Sequence, residues 1–231
     1  MKITVITLFP EIFEPVLNTS ILKRAKDKGL VEYNLLDLRQ FGEGKHQVVD
    51  DRPFGGGPGM VLKPDVLAKA WQAAAKPQTA NHKPYTILMS ASGFPFKQSK
   101  AQKFTQFDHL MIVCGHYEGV DQRFVETYVD EEISIGDYVL TGGELPAMVV
   151  IDATVRLIPK VLKKEAATED ESFAKLNAGI LEYPQYTRPE SFENSRVPKV
   201  LLSGNHQQIA HWRKVQSLEK TQKIRPDLLK S

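Results

Sequence analysis

The chain has a single cysteine, Cys114, among its 231 residues. One cysteine excludes an internal disulfide and a zinc site built from several cysteines, and it is typical of a reducing compartment. No apolar run approaches the ~18 residues that a membrane span requires, and residues 1–13 lack the cleavage site of a signal peptide. We therefore expect a cytoplasmic protein without a membrane segment.

The chain also lacks a strong net charge. Its 30 Lys and Arg residues against 28 Asp and Glu residues leave a formal charge of +2 at pH 7, so any basic surface must be local. One such segment spans residues 206–225, where Glu219 is the single acid among Arg213, Lys214, Lys220, Lys223 and Arg225. This segment fits either contacts with RNA phosphates or an ordinary solvated helix face.

Two familiar nucleotide-binding motifs are absent. No G-x-G-x-x-G follows the first apolar stretch, which runs into Pro10 without any glycine. A glycine cluster at residues 55–59 lacks the Gly-Lys-Ser/Thr ending of a phosphate-binding loop. Two histidines, His206 and His211, are five residues apart and would lie on different faces of a helix, so no metal site is predicted. The two absent motifs disfavour a standard dinucleotide site.

Short apolar segments alternate with helical patterns over the first two thirds of the chain. Strands are predicted at 2–9, 30–38, 85–90, 109–115 and 131–136, and helices at 18–29, 64–75, 96–107 and 144–157, the last of them amphipathic. This alternation predicts an α/β fold with a mostly parallel, covered sheet. We predict an α/β domain at 1–159, a linker at 160–176, and a C-terminal domain at 177–231 with a helix at 204–223 and no convincing strand.

Three of the predicted strands end in segments that contain glycine. They are residues 89–93 (MSASG), 114–121 (CGHYEGVD) and 135–143 (IGDYVLTGG). Because ligands bind at the carboxyl ends of parallel strands, these segments together predict a pocket for a flat, polar group such as adenine. The alternative is that each segment is only a turn between a strand and a helix.

Several motifs, in this order, resemble those of the bacterial tRNA (guanine-N(1))-methyltransferase family. They are VDDRPFGGGPGM, GHYEGVD, SIGDYVLTGGELPAM, YTRPE, and SGNH with a following Trp-Arg, and they span essentially the whole chain. The resemblance implies a SPOUT fold with a deep trefoil knot, a homodimer and a small helical domain that binds tRNA. It also implies methyl transfer from S-adenosylmethionine to N1 of guanosine 37, next to the anticodon, with dependence on Mg²⁺.

The resemblance further implies two sets of binding residues. The target base and its neighbour would be held by the loop that carries Asp50, Arg52, Gly57 and Gly59, although this segment alone reads as a surface loop. Glycines permit the close backbone approach that a bound cofactor needs. The implied cofactor contacts are Ser90, Gly115, Tyr117, Glu118, Ser134, Ile135, Gly136, Asp137, Tyr138, Val139, Leu140, Gly142, Gly143 and Pro146.

Methylation of a guanine ring nitrogen sets two chemical requirements. A general base must remove the N1 proton, and a cation or hydrogen-bond donor must stabilise the negative charge that develops on the carbonyl oxygen. The family places the base as Asp in an Asp-Ser-Phe context, whereas this chain reads Asp170, Glu171, Ser172, Phe173. The aligned base is therefore Glu171, with Asp170 as the alternative, and Arg156 is the implied cation.

Each of these catalytic assignments has a simpler alternative. The acidic run around residues 168–172 reads by itself as a solvated loop, and Arg156 as an exposed helix cation. The departure from Asp-Ser-Phe also leaves open a catalytically inactive, RNA-binding relative. A third possibility is a knotted methyltransferase that acts on another RNA.

Overall fold

The computed structural model describes residues 1–75, 83–163, 171–174 and 179–229. The chain divides into two compact units, unit 1 (Met1–Leu162) and unit 2 (Lys163–Ser231). The predicted linker overlaps this division, and Asp170 lies outside the described residues. The functions assigned to the sequence-predicted domains stay predictions.

The strands of unit 1 are β1 (Lys2–Thr7), β2 (Glu32–Asp37), β3 (Asp50–Asp51), β4 (Val61–Leu62), β5 (Tyr85–Pro95), β6 (His109–Cys114) and β7 (Glu131–Ser134). Its helices are α1 (Glu14–Leu17), α2 (Ser20–Asp27), α3 (Pro64–Ala75), α4 (Gln98–Phe104), α5 (Gln122–Tyr128) and α6 (Glu144–Val155), with short 3-10 turns at Pro10–Ile12 and Leu38–Phe41.

Five of these strands form one sheet in the order β2–β1–β6–β5–β7, and every neighbouring pair is parallel. Alternate residues of β6 enter two separate hydrophobic clusters, with Leu110 and Ile112 in one and Met111 and Val113 in the other. Helices cover both faces of the sheet, which explains why its central strands are almost entirely apolar. The prediction of an α/β fold with a mostly parallel central sheet is confirmed.

The structure differs from the sequence prediction at several elements of unit 1. Helix α5 was not predicted; Asp121 caps it by accepting a hydrogen bond from the Arg123 backbone N–H at 3.0 Å. Strand β5 continues beyond residue 90 to Pro95, with a shift in its pairing to β7 between Met89 and Phe94. The loop at 40–60 contains β3, which pairs antiparallel with β4.

Helix α6 has an exposed face that is partly apolar, so the expected amphipathic pattern is only partly present. Leu145 is 58% exposed and Val149 is 47% exposed, one helical turn apart. The opposite side is packed into the core through residues such as Ala147, Val150 and Ile151. The exposed face is therefore available for a contact that this single chain does not make.

Unit 2 contains β8 (Ser191–Phe192), β9 (Ser195–Arg196), α7 (Lys199–Leu202), α8 (His206–Ile224) and a 3-10 turn at Pro226–Leu229. The expectation of no strand here was wrong, because β8 and β9 form a short antiparallel hairpin. Strands of two residues are too short to produce an alternating pattern in the sequence. Helix α8 begins where the Asn205 side chain accepts a hydrogen bond from the Gln208 N–H, at 3.1 Å.

Among the described helices, none combines the length and the apolar composition that crossing a bilayer would need.

Candidate functional site

A cavity of about 400 Å³ lies at the carboxyl ends of β5, β6 and β7. All three glycine-containing segments that the sequence singled out contribute to its wall. Every residue predicted to contact a cofactor lines this cavity except Asp137, which is exposed outside it. The pocket predicted from the three strand ends is therefore present as a space, and its volume is within the range of small-molecule sites.

The segment that follows β7 folds back across the sheet to the end of β6. Gly143 donates its backbone N–H to the Gly115 carbonyl at 2.8 Å, and Gly142 pairs with His116 in an isolated antiparallel bridge. A Cβ at Gly143 would lie 2.7 Å from the Cα of Cys114, too close for any side chain. The paired glycines therefore allow two backbones to meet at the cavity wall.

The glycine-rich loop at residues 50–60 contacts the second of these strand-end segments. Glu118 donates its N–H to the Met60 carbonyl at 3.0 Å, and Leu62 donates to the Gly119 carbonyl at 3.0 Å. A Cβ at Gly59 would collide with the Glu118 side chain. The loop predicted to hold a base therefore lies beside the segment predicted to hold a cofactor.

Asp50, on the glycine-rich loop, interacts with Tyr117 of the strand-end segment and so links the two segments a second time. Burial raises the pKa of Tyr117, and Asp50 raises it further through its charge and a hydrogen bond, while Arg39 opposes the shift. The other predicted base-binding residues, Arg52, Gly57 and Gly59, are exposed on the same loop, and Gly57 and Gly59 have φ values of 120° and 83°. Residues other than glycine rarely adopt such backbone conformations.

A buried carboxylate that sequence reasoning missed lies behind the cavity. Glu144, in the first turn of α6, is 5% exposed and accepts a hydrogen bond from the Thr7 hydroxyl at 2.8 Å. Burial, and next the charge of Glu144, raise the pKa of the Cys114 thiol well above its ordinary value. The available signal was an acidic residue between two glycines and an otherwise apolar helix start.

Comparison with known proteins decides the family. The family model described as tRNA (Guanine-1)-methyltransferase TrmD matches residues 1–231. The chain belongs to this family. The family resemblance inferred from the sequence motifs is confirmed. The tRNA (guanine-N(1))-methyltransferase activity that it implied is confirmed with it.

Curated relatives agree over nearly their full lengths. Proteins named tRNA (guanine-N(1)-)-methyltransferase from Moorella thermoacetica and Staphylococcus epidermidis strain ATCC 12228 are each 53% identical over 229 and 231 residues. The alignments cover 99% of this chain and 90% and 91% of the two relatives. One from Alkaliphilus metalliredigens is 51% identical over 230 residues, covering 100% of this chain and 92% of the relative.

The residues predicted to carry the methyltransferase chemistry belong to different units. Arg156 ends α6 in unit 1 and is half-buried. Glu171 is half-buried in unit 2, where its carbonyl accepts a hydrogen bond from the Ala174 N–H at 3.1 Å. Both residues have polar or electrostatic partners. The assignment of Glu171, Asp170 and Arg156 to catalysis stays a prediction.

The part of the chain that the structure describes contains no group of three or more His, Cys, Asp or Glu side chains placed to hold a metal ion. The Mg²⁺ dependence that the family resemblance implies therefore has no identified ligands among the described residues.

Unit 2 has an aromatic and cationic surface that the sequence indicated only through its basic residues. The Arg213 guanidinium lies 4.7 Å from the centre of the Tyr183 ring, and the rings of Tyr186 and Trp212 are 6.2 Å apart. These residues surround a cavity of about 420 Å³ that Arg188 also lines. Aromatic rings beside guanidinium groups are typical of surfaces that bind single-stranded nucleic acid.

Proposed function

We propose that this chain transfers a methyl group from S-adenosylmethionine to N1 of guanosine 37 in tRNA, in the cytoplasm. The observation that carries the proposal is the convergence of three separate glycine-containing segments of the family on one cavity at the strand ends. The base-binding loop at residues 50–60 contacts one of these segments directly. The methyl donor and the methyl acceptor would therefore be held on adjacent parts of unit 1.

The cavity supplies groups suited to an adenosine derivative. Backbone groups of Gly115 and of the turn at Gly142 and Gly143 lie at its wall, and those not used in the bond from Gly143 to Gly115 can bond to the edge of a base. Leu140, which also lines the cavity, can cover the face of the adenine ring. When bound, S-adenosylmethionine supplies a methyl group already activated by its sulfonium, so no covalent enzyme intermediate is required.

The residues of the chain then have three tasks at the guanine. Asp50 accepts hydrogen bonds from the donor edge of the base, which identifies guanine. Glu171, or Asp170 through a shift of the segment, accepts the N1 proton as the N1–methyl bond forms and the sulfur–methyl bond breaks. Arg156 stabilises the negative charge that develops on the carbonyl oxygen. Proton and charge balance without a further reactant.

Unit 2 is proposed to bind the tRNA. The basic residues of α8 would contact phosphates, which gives affinity that falls as salt concentration rises. The rings of Tyr186 and Trp212, beside Arg213, would stack on unpaired bases. This division of labour leaves cofactor binding to unit 1.

The SPOUT trefoil knot is part of the proposal. Its support is the path of residues 135–143, which leave the edge strand β7, pass the end of β5 and bond to the end of β6. A trefoil knot requires one segment of the chain to pass through a loop formed by another, and a segment that crosses a strand end is consistent with such a path. Knots are nearly absent from proteins, so no general rule of topology favours one.

A homodimer that completes the cofactor site is also proposed. The exposed apolar side chains of Leu145 and Val149 on α6 support it, because Leu145 adjoins the Glu144 that lies behind the cavity. Val139 is 86% exposed at the mouth of the same cavity and would gain cover from a second copy. Light scattering of the purified chain would measure its mass in solution and decide this point.

The proposed activity is tested by transfer of labelled methyl from S-adenosylmethionine to two unmodified tRNA transcripts, one with guanosine and one with adenosine at position 37. Methylation of the first alone is the expected result. Equal methylation of both would indicate another target nucleotide or another RNA. Methylation of neither, with the cofactor still bound, would indicate a catalytically inactive RNA-binding relative.

A further inference from the structure

Among the described residues, two buried side-chain polar atoms lack a hydrogen-bond partner, and one of them belongs to a residue that lines the cofactor cavity. It is Nδ1 of His116, on the strand-end segment that follows β6. The other is the hydroxyl of Thr154, farther along α6. A buried polar atom without a partner is unfavourable, so each needs a physical explanation.

The unpaired nitrogen of His116 faces the buried carboxylate of Glu144. The distance from Nδ1 to Oε2 is 3.8 Å, beyond a hydrogen bond, and the Glu144 side chain is only 6% exposed. The other carboxylate oxygen already accepts the Thr7 hydroxyl at 2.8 Å. A carboxylate favours the tautomer with its proton on the facing nitrogen, so this pair needs only a small approach to bond.

The ring of His116 is held in place on two further sides. Its centroid lies 5.3 Å from that of Phe9 and 5.0 Å from that of Tyr117, the latter edge-on. Gly142 closes over the pair, since a Cβ there would collide with the Glu144 carboxylate and lie 2.5 Å from Nδ1. A movement of the Gly142 turn or of the His116 segment therefore changes the distance between His116 and Glu144.

The pair joins the elements that form the cavity. Thr7 ends β1, His116 follows β6 and lines the cavity together with Gly115 and Tyr117, and Glu144 follows the Gly142 turn. A bond from His116 to Glu144 would fix the cavity wall to the sheet from behind. Such a bond would hold the cavity-lining backbone of this segment in position.

We propose that His116 and Glu144 are positioning residues, and that cofactor binding closes their 3.8 Å separation to a hydrogen bond from Nδ1 to the carboxylate. This inference rests on the proposed cofactor site. Because the bond forms on binding, its energy contributes to affinity; a hydrogen bond to a charged group is worth about tenfold or more in an equilibrium constant.

The test is calorimetric titration of the full chain with S-adenosylhomocysteine, comparing two substitutions of one residue. His116→Asn keeps an N–H near the position of Nδ1, whereas His116→Phe keeps the ring contacts and removes the nitrogen. We expect the asparagine variant to bind within about threefold of wild type and the phenylalanine variant about tenfold more weakly. Weakening in the asparagine variant alone would assign the effect to the ring contacts and overturn the proposal, as would equal weakening in both variants or wild-type affinity in His116→Phe.

Thr154→Val is the matched control, because it removes the other unpaired buried atom without changing volume. We expect it to leave the affinity for S-adenosylhomocysteine unchanged. Glu144→Gln keeps an acceptor oxygen and loses the charge, so its affinity should fall between those of wild type and His116→Phe. The histidine variants decide the question if the glutamine variant does not fold.

A spectroscopic signature separates a bond formed on binding from a purely structural role. We expect the Nδ1 proton of His116 to give an exchange-protected NMR signal only after S-adenosylhomocysteine is added. A protected signal in the free protein would contradict closure on binding. If wild type itself does not bind S-adenosylhomocysteine, the proposed function fails, which is a result distinct from binding that His116→Phe leaves intact.

Discussion

In unit 1, the side chains on both faces of the sheet are packed into hydrophobic clusters. In the described part of unit 2, by contrast, the buried residues are Ala174, Ile180, Ser217 and Thr221. In unit 2, buried hydroxyl groups form hydrogen bonds between segments, and the Thr221 hydroxyl accepts a hydrogen bond from the Leu181 N–H at 3.0 Å. Large apolar side chains such as Phe192 remain exposed there.

The difference indicates two kinds of function. A sheet with two hydrophobic faces fixes its strand ends rigidly, and the cavity walls in unit 1 depend on backbone contacts with no room for a Cβ. Unit 2 instead presents rings and guanidinium groups at its surface. We therefore expect unit 1 to determine cofactor affinity and unit 2 to determine affinity for RNA. Substitutions in each unit test that separation.

Glu171→Gln should have the largest effect on turnover. Removing a general base lowers the rate by about 10²–10⁴-fold, because nothing else would accept the N1 proton as readily. Asp170→Asn is the paired variant and should lower turnover far less. Single-turnover methyl transfer measures both, with cofactor affinity expected to stay at the wild-type value. The reverse ranking of the two variants would move the assignment to Asp170.

Gly143→Ala should weaken cofactor binding by about a hundredfold or more, since the new Cβ would force the turn away from Cys114 and Gly115. Gly29→Ala is the control, because a Cβ there meets no atom within 4 Å although its φ is +68°. The control should lose about 1 kcal/mol of stability and keep its affinity. Titration with S-adenosylhomocysteine compares the two, and equal affinities would show that the turn does not form the site.

Arg156→Ala should lower methyl transfer by about a hundredfold at unchanged cofactor affinity, because the charge on the guanine carbonyl oxygen would lose its partner. Arg24→Ala removes an exposed cation from α2 and serves as the control. The measurement is kcat with saturating tRNA and S-adenosylmethionine. Unchanged transfer in Arg156→Ala would remove its catalytic role and leave it a structural residue at the end of α6.

Arg213→Ala should raise the Kd for tRNA about five- to tenfold, since it removes the cation over Tyr183 and the phosphate contact proposed for Arg213. Its effect should shrink as salt is raised, and the slope of log Kd against log salt should fall by about one. Cofactor affinity should not change. A loss of cofactor affinity in this variant would contradict the separation between the two units.

His109 should make unit 1 less stable in mild acid. Burial, and next the charge of Lys2, lower the pKa of His109 from 6.5 to about 4, with Glu32 opposing. The unfolded chain therefore binds the proton first, and stability falls as pH drops from about 6.5 towards about 4. The loss should be about 1–2 kcal/mol after allowing for partial exposure. Urea unfolding of wild type and of His109→Gln across this pH range measures the loss. If the free energy of unfolding falls with pH equally in both proteins, His109 is not the cause.

Much of the fold follows from local pattern. The apolar runs of β1 and β6, and the helix that begins at Pro64, are found within a few residues of their predicted positions because both faces of the sheet are covered. Helix α5 was missed because its start belongs to a segment that reads as a loop and only the Asp121 cap identifies it. The hairpin of β8 and β9 was missed because its strands have two residues each.

The candidate site was predictable where glycine and backbone form it, and not where long-range contacts do. Glycines at strand ends predicted the cavity near Gly115 and Gly143 from general rules on parallel sheets. The burial of Glu144 depends on Thr7, which is 137 residues away in sequence, and no local pattern reports that contact. The base-binding role of residues 50–60 came from the family resemblance and remains a prediction.

We propose that the cavity at the ends of β5, β6 and β7 holds the methyl donor. A crystal structure of the chain grown with S-adenosylhomocysteine would test this. We expect density for the ligand between Gly115, Leu140 and Gly143, with His116 Nδ1 within hydrogen-bond distance of Glu144. Ligand density elsewhere on the chain, with this cavity filled only by water, would contradict it.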